Sequence, residues 1–282
     1  MRSICFFSSY YTQPNLPIYV KFYLEELTKH FTETVFITSQ KEMLPRDKAF
    51  LEEKKIRLIQ TANEGYDFGM WYKGIKEYNI SEYDRVGFVN DSCILFGKLD
   101  TFFQWVDKEN PDYCGFTDSY LMDYHIQSYF LIVNKRAMPF VLEYFNKNRI
   151  VKELSEVIKT YEVGLSKYLT DKGLKLKAFY NIPNKGEYNY ALMGADDLIK
   201  LGFPMVKKKI MARGYVAERW RSMVALGFNP FPSHYIKEIK KRQIIPGNLF
   251  DDVMKSKGLA GELKFYVVSL LALLSRVRRK KV

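Results

Sequence analysis

Val86-Gly-Phe-Val-Asn-Asp-Ser92 is a short apolar run that stops abruptly in three polar residues. A run this short, without polar alternation, suits a strand buried on both faces rather than a helix. The same pattern occurs upstream in Ser3-Ile-Cys-Phe-Phe-Ser8, Thr34-Val-Phe-Ile-Thr38 and Ile56-Arg-Leu-Ile59. Between these runs, Ile18 to Lys29 sets Val20, Tyr23, Leu24 and Leu27 at helical spacing. Asp67 to Tyr78 does the same with Phe68, Trp71, Tyr72 and Ile75. Strands separated by helices predict an α/β domain, a mostly parallel sheet flanked by helices. Ligands of such sheets bind beyond the carboxyl ends of the strands, so the residues just after each strand come first as site candidates.

The second half is more mixed. Leu99 to Lys108 reads as a helix, Tyr113 to Phe116 as a strand, and Tyr129 to Val133 as an apolar run. Val151 to Lys172 is a long helical stretch that Gly173 is placed to cap, and Lys175 to Tyr180 is a further strand. Beyond Asn181 prolines and glycines break the pattern, and no internal repeat is visible.

A chain of 282 residues with 47% hydrophobic and 27% charged residues can bury a sizeable core. Aromatics reach 16%, mostly Tyr and Phe, as an AT-rich genome would supply without functional demand. Cys5, Cys93 and Cys114 are scattered in apolar stretches with no paired spacing, which fits free thiols in a reducing cytosol. Ile4 to Phe7 is too short for a signal-peptide core, and no run reaches the ~20 apolar residues of a membrane span. The P-loop, GxGxxG, GxSxG and HExxH patterns do not occur.

The net charge of +12 is unevenly placed. From Met205 to Val282 there are 18 Lys and Arg against 5 Asp and Glu, while the preceding 204 residues are close to neutral. The expected organisation is a catalytic body over residues 1–204 and a basic, largely helical extension over 205–282. Such an extension could meet anionic lipid or nucleic acid.

Four polar groups could carry chemistry. Asn63-Glu-Gly-Tyr-Asp-Phe-Gly69 follows the third strand, where Asp67 could cap a helix or accept hydrogen bonds from a ribose or base. Asn90-Asp91-Ser92 ends the fourth strand, where Asp91 could hold Mg²⁺ or Mn²⁺ against a diphosphate, or merely end the strand in an Asx-turn. Glu162, in Tyr161-Glu-Val-Gly-Leu-Ser166, reads in isolation as a solvated helix residue. Asp118, flanked by Thr117 and Ser119, and His125-Ile-Gln-Ser-Tyr129 form the fourth group. His125 lacks a metal-ligand partner at the usual spacing and reads as a hydrogen-bonding residue.

Taken in order, these segments resemble the rhamnan synthesis F family of bacterial polysaccharide glycosyltransferases. The resemblance is carried by Asn63 to Gly69 with Trp71 and Gly74, Val89-Asn-Asp-Ser92, Gly115-Phe-Thr-Asp118, His125-Ile-Gln-Ser-Tyr-Phe130 and Tyr161 to Ser166. It spans about residues 1 to 210, extending weakly to Gly202-Phe-Pro-Met-Val-Lys207. It implies a GT-A-like fold, a nucleotide-sugar donor, and assembly of a rhamnose-containing or related surface glycan such as O-antigen or capsule. Asn90-Asp91-Ser92 takes the place of the Asp-x-Asp metal motif with one carboxylate instead of two. Aligning Leu165-Ser166 with the residues after the acidic pair of inverting enzymes puts Glu162 on the general base and Tyr161 on the other acid. Asp118 is the reserve base.

The resulting expectation is specific. Ser8, Ser9, Asn63, Asp67, Asn90 and Asp91 hold the donor, with Mg²⁺ or Mn²⁺ on Asp91. His125, Gln127 and Ser128 contact sugar or acceptor, Glu162 takes the acceptor proton, and transfer inverts the anomeric carbon. Tyr66, Trp71 and Tyr129 could be walls of the site or core residues. Phe265 to Leu274 would form about three helical turns, roughly 15 Å, half of a ~30 Å hydrocarbon core. Followed by Arg276, Arg278, Arg279, Lys280 and Lys281, it predicts a peripheral anchor on the cytoplasmic face of the plasma membrane, where a lipid-linked glycan acceptor would be presented. The competing reading is a non-catalytic basic protein that binds membrane or nucleic acid. The polar groups at the strand ends favour the enzyme, and nucleic acid is then not expected as a partner.

Overall fold

A computed structural model describes residues 1–11, 13–148, 150–181 and 189–211. The chain begins with β1 (Ser3–Ser9), α1 (Ile18–Leu27), β2 (Glu33–Thr38), α2 (Pro45–Glu53), β3 (Ile56–Gln60), α3 (Tyr66–Ile75) and β4 (Arg85–Asn90). β5 (Cys93–Leu95), α4 (Asp100–Glu109), β6 (Tyr113–Ser119), β7 (His125–Ile126) and β8 (Phe130–Asn134) follow. Next come α5 (Met138–Lys147), α6 (Leu154–Val157), a π-helical stretch Ile158–Gly164, α7 (Leu165–Asp171) and β9 (Leu176–Tyr180). α8 (Tyr190–Met193), α9 (Ala195–Lys200) and β10 (Met205–Lys207) end the described chain, with a 3-10 turn at Lys208–Met211.

The main sheet has the order β3-β2-β1-β4-β8-β6-β7, with β9 paired to β6. β3, β2, β1 and β4 are mutually parallel, as the alternation with helices requires. β8 runs antiparallel to both β4 and β6. Its direction follows from its connections: the chain turns back after β6 through a short loop, so β7 and then β8 both run antiparallel to it. The sheet is thus parallel on one side of β4 and mixed on the other.

Alternate residues along the inner strands supply two cores. Cys5 and Phe7 of β1, Phe36 of β2 and Phe130 of β8 pack with Tyr23 and Leu27 of α1 and Phe102 and Val106 of α4. Ile4 and Phe6, Val35 and Ile37, and Phe88 pack on the opposite face with Trp71 of α3 and Phe145 of α5. Both faces are therefore covered by helices, and all seven residues of β1 are buried. All three cysteines are buried and free.

The helical stretch expected from Val151 starts at Leu154 and passes through the π segment before α7. Gly173, at φ 71°, ends it as expected. The expected boundary at 204/205 falls inside packed structure. β10 pairs antiparallel with β5, so residues 205–211 are part of the body. The remainder of the basic extension, including the proposed anchor from Phe265, lies outside the described residues. Among the described residues no helix is long and apolar enough to cross a membrane.

Candidate active site

The chain runs from β1 outward to β2 and β3, then returns through α3 to β4 on the other side of β1. This reversal opens a crevice at the carboxyl ends of β1 and β4, the place where such sheets bind ligands. Ser8 and Asn90 are register partners there. Because β8 is antiparallel to β4, the residues just before it, Gln127 to Tyr129, come to the same edge. The carboxyl end of β6, with Thr117 and Asp118, does too.

Asp67 lies below the crevice in the first turn of α3. It does not cap that helix; Gly65 occupies the cap position, at φ 75°. Instead its carboxylate accepts from Ser8 Oγ at 3.0 Å and from Asn90 Nδ2 at 2.8 Å. The other end of the Asn90 amide accepts from Ser92 N at 3.0 Å, which is the Asx-turn that ends β4. Desolvation, reinforced by the neighbouring Asp91 charge, pushes the Asp67 carboxyl up to about 7.

Asp91 is buried and its Oδ2 is doubly engaged. Ser9 Oγ donates to it at 2.7 Å, and Lys208 Nζ sits at 2.7 Å. Burial alone would depress the Lys208 ammonium, but Asp91 and the Tyr19 hydroxyl outweigh it and hold its pKa above that of an ordinary lysine.

Across the crevice, Glu162 projects from the π segment. Ser128 Oγ donates to its Oε1 in a short hydrogen bond. His125 Nε2 faces Oε2 at 3.9 Å. The other imidazole nitrogen lies 2.9 Å from the Asp123 carbonyl, which can only accept, so Nδ1 carries the proton of that bond. The Glu162 side chain is 25% exposed, and its charge reaches Asp67. Ser166 donates no group to the site; its Oγ accepts from Ile126 N at 3.2 Å and pins β7 against the helix.

Gln127 joins a second layer. Thr117 donates its hydroxyl proton to Gln127 Oε1 at 2.7 Å, so the Tyr129 hydroxyl 2.6 Å away must donate to Thr117. Asp118 is buried on β6 opposite Ile126, where its charge acts on Tyr124 and Tyr129. Asn63 is exposed in the loop before α3. Trp71 and Tyr129 are core residues, and Trp71 donates to the Val89 carbonyl at 3.3 Å. Tyr66 is half-buried at the start of α3. Tyr161, placed by alignment on an acid, stacks on Phe68 in the core at 5.1 Å.

The residues around Asp91 do not fit a divalent cation. An ammonium occupies the position beside Oδ2 that a cation would take, and Asp67 is committed to Ser8 and Asn90. Among the described residues, the group of side chains spaced to hold a metal is Glu26 of α1, His30 in the turn after it and Asp100 of α4, none of which lines this crevice. There Glu26 already pairs with Lys29 and accepts from Leu99 N. Lys208 is the functional candidate that sequence reasoning missed, because it falls in the basic tract counted with the extension.

The model of the rhamnan synthesis protein F family matches residues 35–253, crossing the expected boundary at 204/205. Virulence protein VirA of Vibrio anguillarum is 26% identical over 247 residues, covering 72% of this chain and 79% of the relative. A cytidylyltransferase from Leptospira borgpetersenii aligns with a TM-score of 0.40 at 12% identity, over 88% of this chain and 98% of that one. The glycosyltransferase GlyE of Streptococcus pneumoniae aligns with 0.41 at 13% identity, over 88% and 65%. With the family match spanning most of the sequence, the chain belongs to the rhamnan synthesis protein F family and is thereby a glycosyltransferase of polysaccharide synthesis.

Proposed function

We propose that the protein transfers a sugar from a nucleoside diphosphate donor to a hydroxyl of a growing, lipid-linked bacterial surface polysaccharide, with inversion at the anomeric carbon. Rhamnose is the sugar that the family's description suggests. The observation that carries the reading is Glu162: a partly exposed carboxylate, fixed by Ser128 and facing His125, opposite the polar crevice at the ends of β1 and β4.

The donor's nucleotide lies over Ser8, Asn90 and Asp67, and the acceptor enters from the side of His125 and Ser128. The acceptor oxygen attacks the anomeric carbon as its proton passes to Glu162. The bond from that carbon to the diphosphate oxygen breaks, and the electron pair leaves with the nucleoside diphosphate. One displacement inverts the centre. A positioned base contributes typically ~10²–10⁴-fold.

Glu162→Gln keeps the shape and the contact with Ser128 but removes basicity. Release of nucleoside diphosphate from a panel of nucleotide sugars should fall by about 10²-fold or more, with donor affinity retained. Turnover equal to wild type would remove Glu162 from the role and pass it to Asp118.

A further inference from the structure

Lys207-Lys-Lys209 leaves β10 directly against the crevice. Lys207 is the register partner of Cys93, and the Lys208 backbone N–H donates to Ser92 O at 2.8 Å. These bonds tie the lysine tract to the Asn90-Asp91-Ser92 turn. The Lys208 side chain is 16% exposed, with its ammonium 2.7 Å from Asp91 and 5.0 Å over the Tyr19 ring. An ammonium has three N–H donors. Among the described residues, Asp91 and the Tyr19 hydroxyl engage two of them, and the third can meet a ligand. Lys207 lies 5.0 Å over Tyr129, and Lys209 is near enough to feel the Glu162 charge. Positive charge therefore runs along the edge of the crevice between Asp91 and Glu162.

A departing diphosphate needs a cation within reach, and the geometry excludes the obvious place for a metal ion. Resting on the glycosyl-transfer reading, we propose that Lys208 binds the donor diphosphate and takes the charge released as the sugar–phosphate bond breaks, in place of a divalent metal. The electron pair of the broken bond goes to the phosphate oxygen, which accepts an N–H bond from Lys208. No proton is transferred in that contact. Asp91 is then a positioning residue that aims the ammonium.

Preorganised donors of this kind are worth ~10²–10³-fold when charge develops on the atom they face. Replacing Lys208 also strips the partner from a buried carboxylate, which can unfold the protein. The Asp91→Asn/Lys208→Met double variant removes both charges together and keeps the test open.

The experiment is calorimetric titration of the full chain with UDP, dTDP and GDP and with the matching nucleosides, in EDTA and in Mg²⁺. Wild type should bind at least one nucleoside diphosphate equally in both buffers. Lys208→Met and the double variant should weaken that binding at least 10-fold while leaving nucleoside affinity in place, and Asp91→Asn should weaken it less. Loss of wild-type binding in EDTA would hand the role to a metal ion, and wild-type affinity in the double variant would remove Lys208. If none of the three diphosphates binds wild type under either condition, the donor reading itself fails and this inference falls with it.

Discussion

On the parallel side of the crevice, every carboxylate is held by fixed donors. Asp67 is bound by Ser8 and Asn90, and Asp91 by Ser9 and Lys208. On the mixed side, Glu162 has one hydroxyl from Ser128, an imidazole at 3.9 Å and an exposed flank. The difference follows from the supports. β1 and β4 are buried strands whose register fixes the relative position of their ends, while Glu162 stands on a π segment, where helical spacing is locally widened. Acids tied on several sides hold other groups in place. On the proposed reading, the acid with an open flank is the one that takes the acceptor proton.

The strongest way to break this contrast is to disturb the platform under Asp67. An ideal Cβ on Gly69 would lie 1.8 Å from the Glu64 carbonyl oxygen, so Gly69→Ala must push the loop before α3 away from the helix. Backbone atoms cannot rotate aside as a side chain would. We expect a loss of ~2–4 kcal/mol, within the range for overpacking and strain. That corresponds to a fall in Tm of roughly 5–10 °C by scanning calorimetry. A melting temperature within 1–2 °C of wild type, on the order of experimental scatter, would show that the α3 platform is soft and that Asp67 is not rigidly held.

A smaller effect separates the two sides by pH. The folded state raises Asp67 to about 7, chiefly by desolvation and then by the Asp91 charge. The unfolded chain titrates this group near ~4. The folded protein therefore binds the proton more tightly, and Asp67 contributes its stability fully below ~4. That contribution shrinks as pH rises and is gone above about 7. Between these values Asp67 makes the fold less stable as pH increases. Asp67→Asn removes the titration, so the difference in Tm between variant and wild type should grow by a few degrees from pH 4.5 to 7.5, in the variant's favour. A difference that does not change with pH would mean that Asp67 is better solvated than its contacts indicate.

The same division governs how much of the molecule could be read in advance. β1, β2 and β4 are legible because strands buried on both faces give continuous apolar runs, while the edge strand β3 keeps only Ile56 and Ile59 buried; each expected strand lies within its observed span or one residue of it. α2 was invisible because among its residues only Asp47 and Leu51 are buried, which leaves no apolar stripe. α5 carried a readable signal, Met138, Val141 and Phe145 with a proline in the first turn, that the sequence reading leaves unassigned. Within the site, Ser8, Asp67, Asn90 and Asp91 followed from the rule about strand ends. Lys208 did not, because its partner Asp91 is 117 residues away and only the pairing of β10 with β5 brings them together. Glu162 was indicated by family alignment alone; nothing local in Tyr-Glu-Val-Gly-Leu-Ser announces a π segment.

The finest test compares two neighbours on that segment. Tyr161 and Glu162 are adjacent, yet alignment sets both on an acidic pair and the fold separates them completely. Tyr161 is buried against Phe68, Phe145 and Tyr144, and its hydroxyl donates to the Asn148 carbonyl at 3.1 Å. Glu162 points into the crevice. Tyr161→Phe keeps the stacked ring and deletes the hydrogen bond to the Asn148 carbonyl, so it should cost about 0.5–1.5 kcal/mol of stability. Transfer should stay within about twofold of wild type, well short of the ~10²-fold expected for loss of a general base. The measurement is a urea melt paired with steady-state release of nucleoside diphosphate. If Tyr161→Phe instead cuts turnover by tenfold or more at unchanged stability, its hydroxyl acts in the chemistry. The acidic pair of the inverting enzymes would then have a functional counterpart here, and the separation of the two sides of the helix would not hold.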